Sequence, residues 1–161
     1  MGFRIIVAGT REFNNYELLN EVLEGYINKM NKNNITIVSG KARGADTLGE
    51  VFAQNHGLKV AEFPADWQKY GPEAGFIRNG EMAKYAVEDG SYGVLFAFWN
   101  GISNGTKDMI NKAIMHDIEK HIIVYKNNDK NEQELLFETD TLDMDYFKEP
   151  AEDFMNPPEN N

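Results

Sequence analysis

Val94-Leu95-Phe96-Ala97-Phe98-Trp99-Asn100-Gly101-Ile102-Ser103-Asn104-Gly105-Thr106-Lys107-Asp108-Met109-Ile110 runs from an apolar strand through a glycine turn into a helix. The strand reading rests on the unbroken apolar run 94–99. The helix reading rests on Met109, Ile110, Ala113 and Ile114 at helical spacing. Gly101 and Gly105 allow a tight turn and a close approach to a ligand. Thr106 is the candidate N-cap, and the first N–H groups of such a helix attract a phosphate or carboxylate. An ordinary strand-to-helix turn would carry the same glycines, so the other junctions decide how much this one means.

Working outward, the same alternation recurs. Phe3 to Ala8 is a compact apolar strand, followed by Gly9-Thr10-Arg11-Glu12-Phe13. Asn14 or Asn15 then caps a helix bearing Leu18, Leu19, Val22, Leu23, Tyr26, Ile27 and Met30. Ile35 to Val38 is a second strand, Ser39 to Asp46 a turn, and Leu48, Val51, Phe52 and Ala53 mark a helix closed by Asn55-His56-Gly57. Leu58 to Phe63 forms a third strand before Pro64, and residues 65–75 have no period and read as a long loop. Phe76 to Ala86 is a helix, Ser91 to Trp99 the fourth strand, and His121 to Tyr125 the fifth, with Leu135 to Phe137 as a possible edge strand. The pattern predicts an α/β, Rossmann-like, doubly wound parallel sheet of about five strands with helices on both faces. It divides the chain into a domain at 1–139 and an acidic, Pro-containing tail at 140–161. Ligands of such sheets bind beyond the carboxyl ends of the strands. The post-strand segments 9–13, 39–46, 64–75 and 99–106 hold most of the glycine-rich and charged oddities of the chain.

Composition narrows the function. The 161 residues carry 16 Lys+Arg against 26 Asp+Glu, a formal net charge of −10, which repels a phosphate backbone and disfavours broad nucleic-acid binding. Cys is absent, which removes disulfides, thiolate metal sites and a cysteine nucleophile and fits a reducing, cytoplasmic setting. No apolar run approaches bilayer length, and the start of the chain is strand-like rather than a signal peptide. His56, His116 and His121 match no metal-ligand spacing, so no metal site is expected. No Walker-type Gly-Lys-Ser/Thr element occurs. Gly101-Ile102-Ser103-Asn104-Gly105 has the form of a hydrolase nucleophile elbow, but the downstream histidines fall in a helix and at a strand start, which does not suit a triad.

Four elements occur in a distinctive order: Gly9-Thr10-Arg11; Ser39-Gly40-Lys41-Ala42-Arg43-Gly44-Ala45-Asp46; Pro64-Ala65-Asp66-Trp67 with Gly75-Phe76-Ile77-Arg78-Asn79-Gly80-Glu81-Met82; and Gly101 to Thr106. Over residues 3 to 125 this set resembles the single-domain YspA-like branch of the SLOG superfamily, the Rossmann-like group that includes DprA and LOG proteins. The resemblance implies a binder or processor of nucleotides or nucleotide-derived ligands such as an ADP-ribose-like molecule, of bacterial or phage origin. From LOG-like relatives it also implies a homodimer or higher homo-oligomer. LOG enzymes release the base from nucleoside monophosphates through an Arg-Lys-x-x-Met element and a Gly-Gly-x-Gly-Thr-x-x-Glu element. Here Arg78-Asn79-Gly80-Glu81-Met82 matches the first in its Arg and Met, and Met109 stands where the second has its catalytic Glu.

The expected ligand-binding residues are Gly9, Thr10, Arg11, Ser39, Gly40, Arg43, Gly44, Asp46, Asp66, Trp67, Arg78, Asn79, Gly101, Ser103, Gly105 and Thr106. Arg78 leads them, because a guanidinium forks onto phosphate oxygens; its structural alternative is an ion pair with Asp46 or Asp66. Phosphate is expected on the loop from Gly101 to Thr106, flanked by the 39–46 turn. Asp46 would take a ribose hydroxyl or cap a helix, and Trp67 would stack on a base, with Tyr70 and Trp99 as weaker choices. Binding, by a sensor or sequestering protein, is the first function expected. The alternatives are a nucleoside 5'-monophosphate glycosidase, with Arg78, Asp66, Glu81 or Asp108 as catalytic candidates, and a DprA-like role in DNA processing.

Overall fold

The computed structural model describes residues 2–142. The strands are β1 (Phe3–Gly9), β2 (Ile35–Ser39), β3 (Lys59–Glu62), β4 (Tyr92–Trp99), β5 (Glu119–Asn127) and β6 (Gln133–Thr139). The helices are α1 (Tyr16–Ile27), α2 (Ala45–His56), α3 (Trp67–Tyr70), α4 (Ala74–Val87) and α5 (Asn104–Met115). One sheet in the order β3-β2-β1-β4-β5-β6 joins the strands, parallel at every pairing except the antiparallel β5–β6 pair.

Period-two alternation sends the central strands to both faces. Ile5, Val7, Val94, Phe96, Phe98 and Ile123 pack under α1 and α2 with Leu19, Leu23 and Phe52. Ile6, Ala8, Leu95, Ala97, Trp99 and Ile122 pack against α4 and α5 with Met82, Ala83, Met109 and Ile110. Burial on both faces is why these strands read as unbroken apolar runs rather than alternating ones. Among the described residues, no helix is long and apolar enough to cross a membrane.

Two details differ from the sequence expectation, while the sixth strand is the edge strand suggested by Leu135 to Phe137, longer than its faint signal. Its Leu135 and Leu136 are largely exposed, which blurred the pattern. The 65–75 segment is not a structureless loop: it holds α3, a 3-10 turn at 71–73 and the first residues of α4. Ser103, rather than Thr106, caps α5, its hydroxyl accepting from the Thr106 N–H at 3.4 Å. Asn15 caps α1, its side chain accepting from Leu18 N at 3.0 Å. The tail expected at 140–161 lies, from residue 143 on, outside the described residues.

Phe13 anchors the first post-strand loop beneath the sheet surface. It is 1% exposed and its ring lies 5.1 Å from Phe98 and 4.9 Å from Tyr125. Truncation there removes buried area and leaves a cavity under the Thr10–Asn15 segment. Phe13→Ala is expected to lower unfolding free energy by about 3–5 kcal/mol in urea titration. A loss below about 1 kcal/mol would mean that the loop is held by other contacts.

Candidate functional site

The strand order turns at β1 and β4: the crossovers from β1 run toward β3, and those from β4 run toward β6. A crevice opens beyond the carboxyl ends at such a reversal. All the buried polar side chains among the described residues gather there: Thr10, Ser39, Asp46, Arg78, Asn79, Ser103 and Thr106. Buried polar groups are costly unless bonded, and each buried side-chain polar atom among the described residues has a partner.

Arg78 is the centre of this cluster. It projects from α4, is 6% exposed, and donates through Nη1 to the Gly40 carbonyl and through Nε to Asn79 Oδ1 at 3.1 Å. Asn79 in turn donates to the Gly105 carbonyl at 3.3 Å and to Asp108 Oδ2 at 3.0 Å, tying α4 to α5. Gly40 leaves room for the Arg78 and Asp46 side-chain ends. A Cβ there would sit 2.6 Å from Arg78 Nη1 and 2.7 Å from Asp46 Oδ2. Gly44 is required by conformation as well, since its φ is +83° and a Cβ would strike the carbonyls of Thr10 and Arg11.

Asp46 belongs to the first turn of α2, but Gly44 rather than Asp46 is the cap residue of that helix. Its carboxylate accepts from Ala42 N at 3.4 Å and faces the Arg78 guanidinium. Burial pushes its pKa up to about 7 against the pull of Arg78, and burial likewise lowers Arg78 against the pull of Asp46. Desolvation outweighs the mutual attraction for both partners.

Arg78 also forms the wall between two spaces. One is a cleft of about 360 Å³ bounded by Arg11, Arg43, Arg78, Trp67 and the backbone of Gly40 to Ala42. The other is a narrow recess of about 20 Å³ between Gly9, Asp46, Asn79, Thr106 and Met109. Trp67 is 48% exposed and presents indole surface to the cleft. Arg43 is steadied at the rim by Glu12, Nη2 to Oε1 at 2.9 Å. Lys41, at φ +61°, sends its ammonium away to Glu50 and Glu62, 2.9 Å from each, and these carboxylates raise its pKa. The cleft therefore combines three guanidiniums with one exposed aromatic face, and no carboxylate among the described residues lines it.

Several expected site residues are occupied elsewhere. Ser39 donates to Glu50 Oε2 at 2.6 Å, and Thr10 Oγ1 accepts from Asn100 N at 3.1 Å. In the Gly101–Thr106 turn, the N–H groups of Ile102 and Ser103 donate to Asn100 Oδ1 at 2.9 Å, and that of Thr106 to Ser103. This turn is thus largely satisfied internally, and Gly101 serves it through a φ of +84°. Trp99 is buried and donates to the Ser103 carbonyl at 3.0 Å, so it offers no face for stacking. Among the catalytic candidates, Asp66 caps α3, Glu81 lies on the exposed side of α4, and Asp108 is held by Lys112 at 2.7 Å and by Asn79. The buried Ser103 hydroxyl bonds to Thr106, and the downstream His121 bonds to Glu119 rather than to Ser103. No group of three or more metal-ligating side chains among the described residues is placed to hold an ion. Lys41, Ala42, Pro64 and Ala65 line the cleft without having been named as binding residues; their sequence signal was membership of the post-strand motifs at 39–46 and 64–67.

Comparison with known proteins agrees with this architecture. Residues 3–70 match the family model described as "YAcAr: YspA, cpYpsA-related SLOG family". The Gene 61 protein of Mycobacterium phage D29 is 28% identical over 115 residues, 68% of this chain and 87% of that protein. Among solved structures, DNA processing protein A (DprA) from Streptococcus pneumoniae is similar with a TM-score of 0.56 and 15% identity, over 81% of this chain and 53% of that one. The chain spans about half the length of that structure, and the likeness concerns the fold alone. The family likeness thus covers residues 3–70, under half of the chain.

The raised pKa of Asp46 has a defined consequence for stability. The folded protein holds a proton that the unfolded chain releases, so the contribution of Asp46 to stability is full below about pH 4 and is lost as pH rises toward 7. Asp46→Asn removes this slope. Relative to the wild type, the variant should gain about 1.4 kcal/mol per pH unit across that window in urea titrations. Parallel pH profiles for the two proteins would contradict a buried, partly protonated Asp46.

Proposed function

We propose that this SLOG-type domain binds a nucleotide or nucleotide-derived metabolite, with its phosphate among Arg11, Arg43 and Arg78 and its base against Trp67. One observation carries the reading: in a chain of net charge −10, three guanidiniums and an exposed indole converge on a single cleft of about 360 Å³. Guanidiniums recognise phosphate oxygens in pairs, and an indole face accepts any base by stacking. The cleft volume falls within the range usual for small-molecule sites.

The position of the cations favours a phosphate in the cleft over one on the Gly101–Thr106 turn, whose N–H groups at 102, 103 and 106 are already engaged. Binding without turnover is the simpler chemistry, because Met109 replaces the LOG-type carboxylate and is 1% exposed in the recess wall. A glycosidase reading has one observation in its favour. Asp46, at the recess and near neutral pKa, has the proton affinity of a general acid. Assay of free base release from the bound nucleotide separates these two readings. DNA handling is disfavoured by the overall charge.

Thermal unfolding against AMP, ADP, NAD, ADP-ribose and cyclic nucleotides tests the proposal. A ligand at about 100 times its Kd stabilises by roughly 2.7 kcal/mol, a rise of roughly 5–10 °C for a domain of this size. Arg78→Ala should abolish the shift. Because that change also strips Asp46 of its partner, Arg11→Ala and Trp67→Ala serve as the outer-wall variants and should each reduce it. No shift with any compound in the wild type would overturn the nucleotide reading.

A further inference from the structure

The antiparallel strand β6 is an addition at the edge of an otherwise parallel sheet, and its first residue reaches back to the loop after β1. Gln133 is 121 positions from Glu12 in sequence, yet its Nε2 donates to the Glu12 carbonyl at 2.8 Å. Its Oε1 accepts from Asn14 N at 2.7 Å, and its own carbonyl accepts from Asn15 Nδ2 at 2.7 Å. One side chain therefore closes a backbone donor and a backbone acceptor on either side of Phe13. A carboxamide is suited to this because it carries both functions on one planar end. A carboxylate lacks the donor, and an ammonium lacks the acceptor.

The segment so held is the one that carries Arg11 to the cleft and Glu12 to Arg43. Its other restraints come from below, where Phe13 packs on Phe98 and Tyr125, and from within, where Phe13 N donates to the Thr10 carbonyl at 3.1 Å. The Glu12 side chain is also held by Arg43, and the Asn14 carbonyl accepts from Tyr16 N at 3.2 Å; Gln133 adds the bonds to the Glu12 carbonyl and the Asn14 N–H. We propose that Gln133 is a positioning residue for the anion cleft, holding the 11–14 segment so that Arg11 faces the ligand. The inference rests on the cleft being the nucleotide site. It places the edge hairpin in the binding machinery although none of its residues lines the cleft.

The test is a double-mutant cycle read by calorimetric titration of AMP into wild type, Gln133→Met, Arg11→Ala and the double variant. Methionine keeps the length of the side chain while removing both hydrogen bonds. Each single variant should weaken AMP binding by roughly tenfold, and the double variant by about the same factor, because Gln133 acts through Arg11. Hydrogen exchange at the Asn14 amide should be faster in Gln133→Met, a readout that needs no ligand. A double variant weakened by the product of the two factors would overturn the proposal, as would unchanged binding by Gln133→Met. Both results leave the nucleotide reading intact. Absence of AMP binding by the wild type would instead remove the nucleotide site and the positioning role together.

Discussion

A buried guanidinium sets the terms for the rest of this molecule. Arg78 sits almost wholly out of water, where an unpartnered charge would cost several kcal/mol. Its needs explain residues on four separate elements. The turn after β2 supplies the Gly40 carbonyl and leaves room for the guanidinium; α2 supplies Asp46; and Asn79 accepts from Arg78 while reaching across to α5. The sheet brings these pieces near one another, and the charge fixes how they meet. Since burial opposes ionisation at both Arg78 and Asp46, the pair is a weak source of stability. It is better understood as a rigid mount that keeps a cation at the base of an open cleft.

Electrostatics and shape agree on where a ligand would go. The net charge of −10 is a property of the whole chain, while the cleft gathers Arg11, Arg43 and Arg78 and turns Lys41 aside onto acidic residues. A local positive site in a chain of net negative charge suits a small anion better than a long polyanion. Trp67 adds an apolar face, so the site is matched to a molecule that is charged at one end and aromatic at the other. Glu12 orients Arg43 without entering the cleft, which keeps the cation fixed at the rim.

Much of this was legible in the sequence, for reasons that differ between fold and site. The apolar runs at 3–8 and 94–99 identified central strands because both faces of the sheet are covered, and helix spacing identified α1, α2 and α5. Strand β6 was faint because an edge strand with exposed Leu135 and Leu136 lacks the apolar signature. The glycines and arginines after each strand pointed to the end of the sheet where the cleft opens. What sequence could not supply was which partner each polar group takes. Ser39 and Ser103 looked like ligand donors, yet one is bonded to Glu50 and the other caps a helix. Asp46 had three readings, a helix cap, a ribose acceptor or the ion-pair partner of Arg78, and it lies buried beside the Arg78 guanidinium. Gln133 carried no local signal, since its partners lie at the opposite end of the chain.

Intrinsic tryptophan fluorescence gives the most direct view of the cleft, because the chain has two tryptophans with opposite environments. Trp67 is 48% exposed at the cleft wall and Trp99 is 1% exposed in the core. Titration of nucleotides into the protein should quench the exposed component saturably, with competition from inorganic phosphate, and Trp67→Phe should abolish the response. Quenching that is absent, or that persists in Trp67→Phe, would contradict the placement of a nucleotide between the guanidiniums and this indole.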